Sequence, residues 1–250
     1  MPETLHLVKV PLRADKLAAI ARQRQMPLRE IDDGYLGHMI LRELWQERAP
    51  TPFVLRGKGR CIDAWGYSQA DAAALIQHAS EFGDPSLVAA VVALGDIASR
   101  PMPRFESGRQ LGFVVRACPV VRLLAATNGH RAGAEVDAFL ARCFASGDAG
   151  VSREEVYRDW LTRTLGNERL TGVTVSRAAV VAMSRERMVR RTQGEARKVS
   201  QIERPDVRFA GDLLVRDGNR LHAYLAHGVG RHRAFGFGAL MLVPPGSGLS

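Results

Sequence analysis

The sequence predicts an α+β fold in which one unit of strand, helix, two strands, helix and strand occurs twice. Two patterns support this prediction. Apolar residues alternate with polar ones in short runs such as 5–12, which is the period of a strand. They recur every three or four residues in longer runs such as 32–48, which is the period of a helix. The second half of the chain repeats the order of runs found in the first.

The first half supplies every element of one unit. Its clearest helix covers 32–48, which Asp32 or Asp33 can cap. The apolar face of that helix consists of Leu36, Ile40, Leu41 and Leu44. The other elements, in chain order, are a strand over 5–12, a helix over 14–25, two strands within 53–68 joined by a Gly-Lys-Gly turn, a helix over 69–82 and a strand over 90–98.

The second half predicts the same unit again. Its elements are a strand over 110–123 interrupted by Pro119, helices over 134–145 and 152–165, strands over 170–183 and 208–217, a helix over 219–228 and a last strand over 234–244. The polar stretch 99–108 is rich in Pro, Gly and Ser and is the best linker candidate. We therefore expect two tandem ferredoxin-like (RRM-like) βαββαβ domains, covering 1–104 and 105–250.

The charge of the chain is its first functional signal. It has 250 residues with 35 Lys and Arg against 26 Asp and Glu, which gives a net charge of +9. Nearly all of the basic residues are arginine, whose planar guanidinium binds phosphates in two-point contacts and stacks on bases. Base composition of the genome is an alternative reason for the preference for Arg over Lys, but it does not explain the net charge. Nucleic acid is therefore the expected partner.

Cysteine and hydropathy patterns exclude several other classes. Cys61, Cys118 and Cys143 are far apart and odd in number, which argues against a disulfide framework or a zinc site. The sequence lacks clustered acidic residues or other metal-binding motifs, so we expect neither a metal nor any other cofactor. It has no signal peptide pattern and no apolar run near the ~18 residues that span a membrane. We expect a cytoplasmic protein without a membrane partner.

A glycine-rich loop over 228–238 precedes the predicted last strand. Its spacing fits neither the phosphate loop GxxxxGK[ST] nor the dinucleotide fingerprint GxGxxG, so a nucleotide cofactor is disfavoured. Backbone amides at glycines can approach phosphate oxygens closely, and Arg231, His232 and Arg233 add positive charge. The alternative is a turn that needs glycine for tight packing between helix and strand.

The region around this loop resembles the C-terminal signature of CasE-type CRISPR repeat-processing endoribonucleases of the RAMP superfamily. Their loop reads G-[IV]-G-x-x-[KR]-[AS]-x-G-x-G, which this chain matches at Gly228, Val229, Gly230, Arg233, Ala234, Gly236 and Gly238. The stretches 114–122 and 157–166 resemble the family's R-A-N-P strand and A-W-L-x-R-x-L helix, with Cys118 in place of the usual Asn. The resemblance implies two tandem ferredoxin-like domains, in agreement with the pattern.

The helix over 32–48 carries the candidate catalytic residues. Tyr35 and His38 are three residues apart, so they share one helix face. The family has a Tyr-x-x-His pair near the start of this helix, which implies that His38 transfers a proton and Tyr35 orients the reacting groups. Histidine suits this role because it exchanges protons near neutral pH. The sequence leaves open whether His38 is base or acid. Arg42, one turn later, is either a further catalytic cation or a solvated helix residue.

The basic segment 184–206 is the third candidate feature. We expect it to bind an RNA stem through its cations, which are Arg185, Arg187, Arg190, Arg191, Arg197, Lys198 and Arg204. The alternative is a solvated loop, which is common for charged runs. The segment is longer and more basic than we expect for the commonest members, so a divergent branch such as that of the type IV CRISPR systems is an alternative assignment.

These features together predict a metal-independent endoribonuclease. The resemblance implies that it cleaves the hairpin repeat of precursor CRISPR RNA, leaves a 2′,3′-cyclic phosphate and a 5′-hydroxyl, and retains its product within an effector complex of several subunits. In this interpretation Gly228, Gly230, Arg231, Arg233 and Gly236 bind phosphates of the RNA. The alternatives are a non-catalytic hairpin-binding subunit of such a complex and, less favoured because no helix-turn-helix pattern is present, a DNA-binding regulator.

Overall fold

The fold consists of two four-stranded antiparallel sheets and the helices that pack on them. The computed structural model describes residues 4–26, 33–57, 59–146, 150–191 and 199–249, with side chains described in these ranges except at 186–191, 199–202 and 249. Within the described ranges the strands of each sheet follow the order expected of a ferredoxin-like unit. The predicted α+β class with two such units is confirmed.

The first unit contains the predicted elements with shifted ends. In chain order they are β1 (His6–Arg13), α1 (Ala14–Gln23), α2 (Asp33–Trp45), β2 (Phe53–Arg56), β3 (Cys61–Ser68), α3 (Ala72–Phe82), α4 (Pro85–Val88) and β4 (Ala98–Pro101). Short 3₁₀ turns follow α2 and α4, at Gln46–Arg48 and Leu94–Asp96. The sheet order is β2-β3-β1-β4. Both helix–strand crossovers therefore lie on one face of the sheet, where they cover an apolar core.

The prediction of a strand over 90–98 was wrong in its bounds. The buried side chains of Ala90 and Val91 belong to the core beneath α2. Val91 forms an isolated bridge with Leu12 of β1, while continuous pairing with β1 begins at Ala98. Gly95 and Asp96 favour a turn, and they separate the apolar run from the strand. A short apolar run does not reveal whether it is buried as a strand or as a turn of helix, which accounts for the error.

The second unit repeats the topology with an insertion. In chain order its elements are β5 (Gln110–Ala117), β6 (Val120–Arg122), β7 (Glu135–Asp137), α5 (Ala138–Ser146), α6 (Arg153–Leu165), α7 (Glu168–Thr171), β8 (Val173–Arg191), β9 (Val199–Val215), α8 (Gly218–His227) and β10 (Met241–Val243). The sheet order is β10-β5-β9-β8, and β6 and β7 form a separate hairpin. The predicted helix over 134–145 therefore begins as strand β7.

The basic segment 184–206 is strand at the residues that the structure describes. Its described residues continue β8 and β9 as a paired ribbon, whose register extends from Val173 opposite Val215 to Arg191 opposite Val199. Only the part of β9 from Val207 to Leu214 also pairs with β5, so the remainder has a single neighbouring strand. Two paired strands satisfy each other's backbone hydrogen bonds without a buried face, so the charged sequence is compatible with strands. Arg197 and Lys198 lie outside the described residues.

The last strand is also shorter than predicted. A 3₁₀ turn covers Arg233–Phe235, and Gly236 and Gly238 follow with φ of 76° and 83°. Backbone in this left-handed region cannot continue a strand, so pairing with β5 starts only at Met241.

The two units share buried contacts. The Tyr67 hydroxyl of β3 donates a hydrogen bond to the Leu240 carbonyl at 2.6 Å. Leu7 and Met102 of the first unit pack in the same core as Phe113 of the second. The predicted linker 99–108 starts within β4, so the boundary at residue 104 stays a prediction. Among the described helices, none combines the length and apolarity required to cross a lipid bilayer.

Candidate functional site

Helix α2 is oriented by its apolar face. The four residues predicted for that face, Leu36, Ile40, Leu41 and Leu44, are buried in the first core, as predicted. Gly37 lets the helix approach the sheet, because a Cβ there would lie 3.3 Å from the Phe53 ring. This orientation leaves Tyr35 and His38 half-buried at the side of the helix.

His38 has an environment that keeps its imidazole neutral. Its Nδ1 is buried and finds no hydrogen-bond partner in the part of the chain that the structure describes. Burial, and to a smaller extent the positive charge of Arg42, holds the pKa of His38 below its ordinary value. Because Nδ1 is enclosed, we expect a ligand to contact the ring through Nε2. A neutral imidazole in this position can accept a proton from a bound ligand.

Tyr35 connects α2 to the glycine-rich loop of the second unit. Its ring stacks on the ring of Phe235, with centroids 5.6 Å apart and planes inclined by 29°. Directly before Tyr35 on the helix, Gly34 faces Gly236, where a Cβ would lie 3.5 Å from the Gly34 Cα. The fold therefore brings together two motifs from opposite ends of the sequence.

Arg42 is held at the end of its own helix. Its guanidinium donates hydrogen bonds to the Gln46 carbonyl and to the Glu47 carboxylate, both at 2.9 Å, and its side chain is 41% exposed. These contacts direct it away from the glycine-rich loop. The positive charge of Arg42 contributes to the lowered pKa of His38.

The glycines of loop 228–238 serve tight packing. A Cβ at Gly228 would lie 2.8 Å from the Pro52 ring, and one at Gly230 would lie 2.9 Å from the Trp160 ring. The amides of Gly228 and Gly236 donate to the carbonyls of Tyr224 and Arg233, at 2.7 and 3.3 Å. In this conformation those two amides donate to protein carbonyls, and the binding of RNA phosphates at Gly228 and Gly236 stays a prediction. The close approaches at Gly228 and Gly230 are those expected of the alternative, a turn that needs glycine for tight packing.

The side chains of the loop face a large basic cleft. The cleft has a volume of about 1220 Å³ and lies between the loop, the β6–β7 hairpin and the base of the ribbon. Its walls carry five arginines, which are Arg122, Arg131, Arg204, Arg231 and Arg233. Phe235, the stacking partner of Tyr35, also lines the cleft. The candidate catalytic helix thus meets the basic cleft at this ring.

One carboxylate lies among these cations. Glu135, the first residue of β7, accepts a hydrogen bond from His232 Nε2 at 2.5 Å. Its carboxylate is also 3.3 Å from Arg204 and 3.4 Å from Arg231. The guanidinium of Arg233 instead donates to the His227 carbonyl.

Sequence reasoning did not identify Glu135, Arg122 and Arg131 as site residues. The hairpin that carries Glu135, Arg122 and Arg131 has a signal that could have revealed it. Asn128 and Gly129 occupy its turn, where Thr127 and His130 exchange backbone hydrogen bonds at 2.8 and 2.9 Å, and an Asn-Gly pair is a strong sign of a tight hairpin. The contact between Glu135 and His232 has no comparable local signal.

The ribbon carries the remaining predicted cations. Arg185 is exposed and forms an ion pair with Glu203 at 3.2 Å. The backbones of Arg187, Arg190 and Arg191 belong to β8, but their side chains are outside what is described. Their contact with RNA stays a prediction. Within the described ranges, no group of three or more His, Cys, Asp and Glu side chains could hold a metal ion.

A family model described as CRISPR associated protein matches residues 5–244. The chain belongs to this CRISPR-associated protein family. The family predicted by the glycine-loop and helix motifs is thereby confirmed. A search of curated proteins found no significant match.

Several solved CRISPR proteins share the fold along almost the whole chain. The CRISPR endoribonuclease Cse3 bound to a 19 nt RNA is 20% identical, with a TM-score of 0.61 over 96% of this chain and 100% of that one. Thermus thermophilus Cse3, bound to an RNA representing a pre-cleavage complex, is 19% identical, with a TM-score of 0.59 over 96% and 100%. Cas6e from Escherichia coli str. K-12 is 16% identical, with a TM-score of 0.51 over 96% and 99%. At these identities the likeness establishes the fold.

Proposed function

We propose that this protein is a metal-independent endoribonuclease that cleaves the hairpin repeat of precursor CRISPR RNA. The observation that carries the proposal is that Tyr35, on the same helix as His38, stacks on Phe235, whose ring lines an arginine-rich cleft. Family membership supports a role in CRISPR systems. The similar structures named above include CRISPR endoribonucleases with bound RNA, which supports RNA as the substrate.

The reaction needs two proton transfers. The 2′-hydroxyl attacks the neighbouring phosphorus as its proton leaves, and the bond from phosphorus to the 5′-oxygen breaks as that oxygen gains a proton. The products are a 2′,3′-cyclic phosphate and a 5′-hydroxyl. His38 is suited to accept the first proton, because its pKa lies below the ordinary value and it is neutral near pH 7. Tyr35 orients the reacting groups.

Arginines of the second unit can offset the negative charge of the phosphate. Arg231 is 46% exposed on the cleft wall, and Arg204 and Arg233 line the same cleft. Guanidinium groups stabilise the additional negative charge that develops on a phosphate during attack. The ribbon formed by β8 and β9 extends the basic surface, which suits the shape-based recognition of an RNA stem. Retention of the product in a CRISPR effector complex of several subunits, in the cytoplasm, belongs to the same proposal.

The decisive experiment is cleavage of the repeat RNA from the same genome, in EDTA, by wild type and by His38→Ala. We expect one cut at the 3′ base of the stem by wild type, with a cyclic phosphate end, and no cut by the variant although it still binds. His78→Ala is a matched control, because His78 also has a buried Nδ1 without a described partner but lies on α3. Tight binding without cleavage by wild type would instead identify a non-catalytic hairpin-binding subunit.

A further inference from the structure

An acidic residue is unexpected on the wall of a cleft that would bind RNA. The Glu135 side chain is only 16% exposed, and it lies opposite Arg122 in the β6–β7 hairpin. Burial alone would raise its pKa, but the hydrogen bond from His232 and the charges of His232, Arg204 and Arg231 outweigh burial and lower the pKa. The carboxylate is therefore ionised at neutral pH and repels RNA if it acts only as a charge.

The contacts of Glu135 indicate a different role. It contacts residues from two separate parts of the second unit: Arg204 from β9, and Arg231 with His232 from the glycine-rich loop. The Glu135 backbone carbonyl accepts a further hydrogen bond from Arg204 at 3.1 Å. Without the carboxylate these cations would repel one another and separate. With it they are held close together on the wall of the cleft.

His232 adds evidence that the loop is held in place. Its φ of 61° and ψ of 29° lie in the left-handed region, which is unfavourable for a residue with a Cβ. Such a conformation persists where surrounding contacts impose it, and the hydrogen bond to Glu135 is such a contact. The His232 ring is 6.1 Å from the Phe235 ring, which in turn stacks on Tyr35. A continuous set of contacts therefore joins Glu135 to the candidate catalytic helix.

We propose that Glu135 is a positioning residue that holds Arg204, Arg231 and His232 as a preorganised site for a phosphate of the RNA. Through His232 it also fixes the loop that supports Tyr35. This inference rests on the proposed function for its ligand, and it assigns a favourable role in RNA binding to an acidic residue.

Glu135→Gln gives a test in which charge and positioning predict opposite results. The variant loses one negative charge, so charge alone predicts tighter binding of every RNA. Positioning predicts about tenfold weaker binding of the repeat hairpin, because the cations lose their common partner. It also predicts equal or tighter binding of an unstructured RNA of the same length. Affinities are measured with a hairpin that has a 2′-deoxy nucleotide at the cut site, so that cleavage does not interfere.

Glu203→Gln is the matched control. Glu203 is an exposed acid that pairs with Arg185 on the ribbon, so its removal adds the same charge outside the cleft. We expect this variant to bind both RNAs as tightly as wild type or more tightly. Glu135→Asp keeps the carboxylate, and we expect it to restore part of the hairpin affinity. A loss caused only by general damage would not be restored by Asp and would not depend on the RNA.

The outcome separates this inference from the proposed function. If wild type binds the hairpin but does not cut it, the affinities still test Glu135. If Glu135→Gln binds the hairpin as tightly as wild type and cuts it at the same rate, the positioning role is overturned while the nuclease assignment stands. If circular dichroism shows that Glu135→Gln does not fold, His232→Ala is tested in its place, because it removes the loop side of the same contact. Unchanged hairpin affinity in that variant would equally overturn the inference.

Discussion

The two units share one topology but differ in what they add to it. In the first, β2 and β3 are short strands of 4 and 8 residues, and α2 carries His38 and Tyr35. In the second, β8 and β9 have 19 and 17 residues, and the inserted β6–β7 hairpin supplies Glu135. Under the proposed function, proton transfer belongs to the first unit and RNA binding to the second. Substitutions in the first should change the rate of cleavage, and those in the second should change affinity.

The largest effect is expected from His38→Gln. Loss of a group that transfers protons in the transition state should lower the single-turnover rate at saturating protein about 10²- to 10⁴-fold. The Kd for the 2′-deoxy hairpin should stay near that of wild type, because the described contacts place no cation of the cleft on His38. If affinity for the hairpin fell as much as the rate, the proposed division of roles between the two units would be wrong.

Tyr67→Phe tests the contact between the units. It leaves the buried Leu240 carbonyl without its hydrogen bond, so the free energy of unfolding should fall by about 1–3 kcal/mol. Urea denaturation followed by circular dichroism measures this change. The cleavage rate of the folded variant should match wild type, and an unchanged midpoint would mean that the contact adds nothing to stability.

Arg231→Ala should have the opposite signature to His38→Gln. We expect hairpin affinity to fall about tenfold and the slope of log Kd against log salt to decrease by about one, as for the loss of one phosphate contact. The rate at saturating protein should change less than the affinity does. Arg109→Ala, at an exposed arginine outside the cleft, is the control. Equal losses from both variants would indicate a general charge effect.

The smallest effect concerns pH. The pKa of His38 lies below its ordinary value of 6.5 because the imidazole is buried. If His38 is the base, the rate at protein concentrations far below Kd should rise with pH, with a midpoint below 6.5. The same rate should fall with rising pH if His38 acts as the acid. Measuring this profile for wild type therefore decides between the two roles that the sequence left open.

Local pattern was sufficient for the parts of the site that lie within one element. The apolar face of α2 determined which side of the helix is buried and therefore where Tyr35 and His38 lie on it. The spacing of the glycines identified the loop. Strand order followed from the repeat of the same unit. The ends of the elements near Gly95 and Gly236 were less accurate, because a short apolar run is compatible with several backbone conformations.

Contacts between distant residues could not be predicted in this way. Glu135 and His232 are 97 positions apart, and their hydrogen bond depends on the β6–β7 hairpin and the loop both packing beside the ribbon. The stacking of Tyr35 on Phe235 likewise joins the two units. In the ribbon, the run of charged residues left a solvated loop as an alternative, whereas the described residues are held as strands by backbone pairing between β8 and β9.

The stacking of Tyr35 on Phe235 also has a consequence for the order in which the protein becomes functional during synthesis. Helix α2 leaves the ribosome early, while the loop that contains Phe235 is translated on the order of ten seconds or more later. Domains generally fold as they emerge, so the first unit can form while its partner ring has yet to be translated. A nascent chain would therefore carry the histidine but not the complete site, and cellular transcripts close to the ribosome would not meet the assembled site.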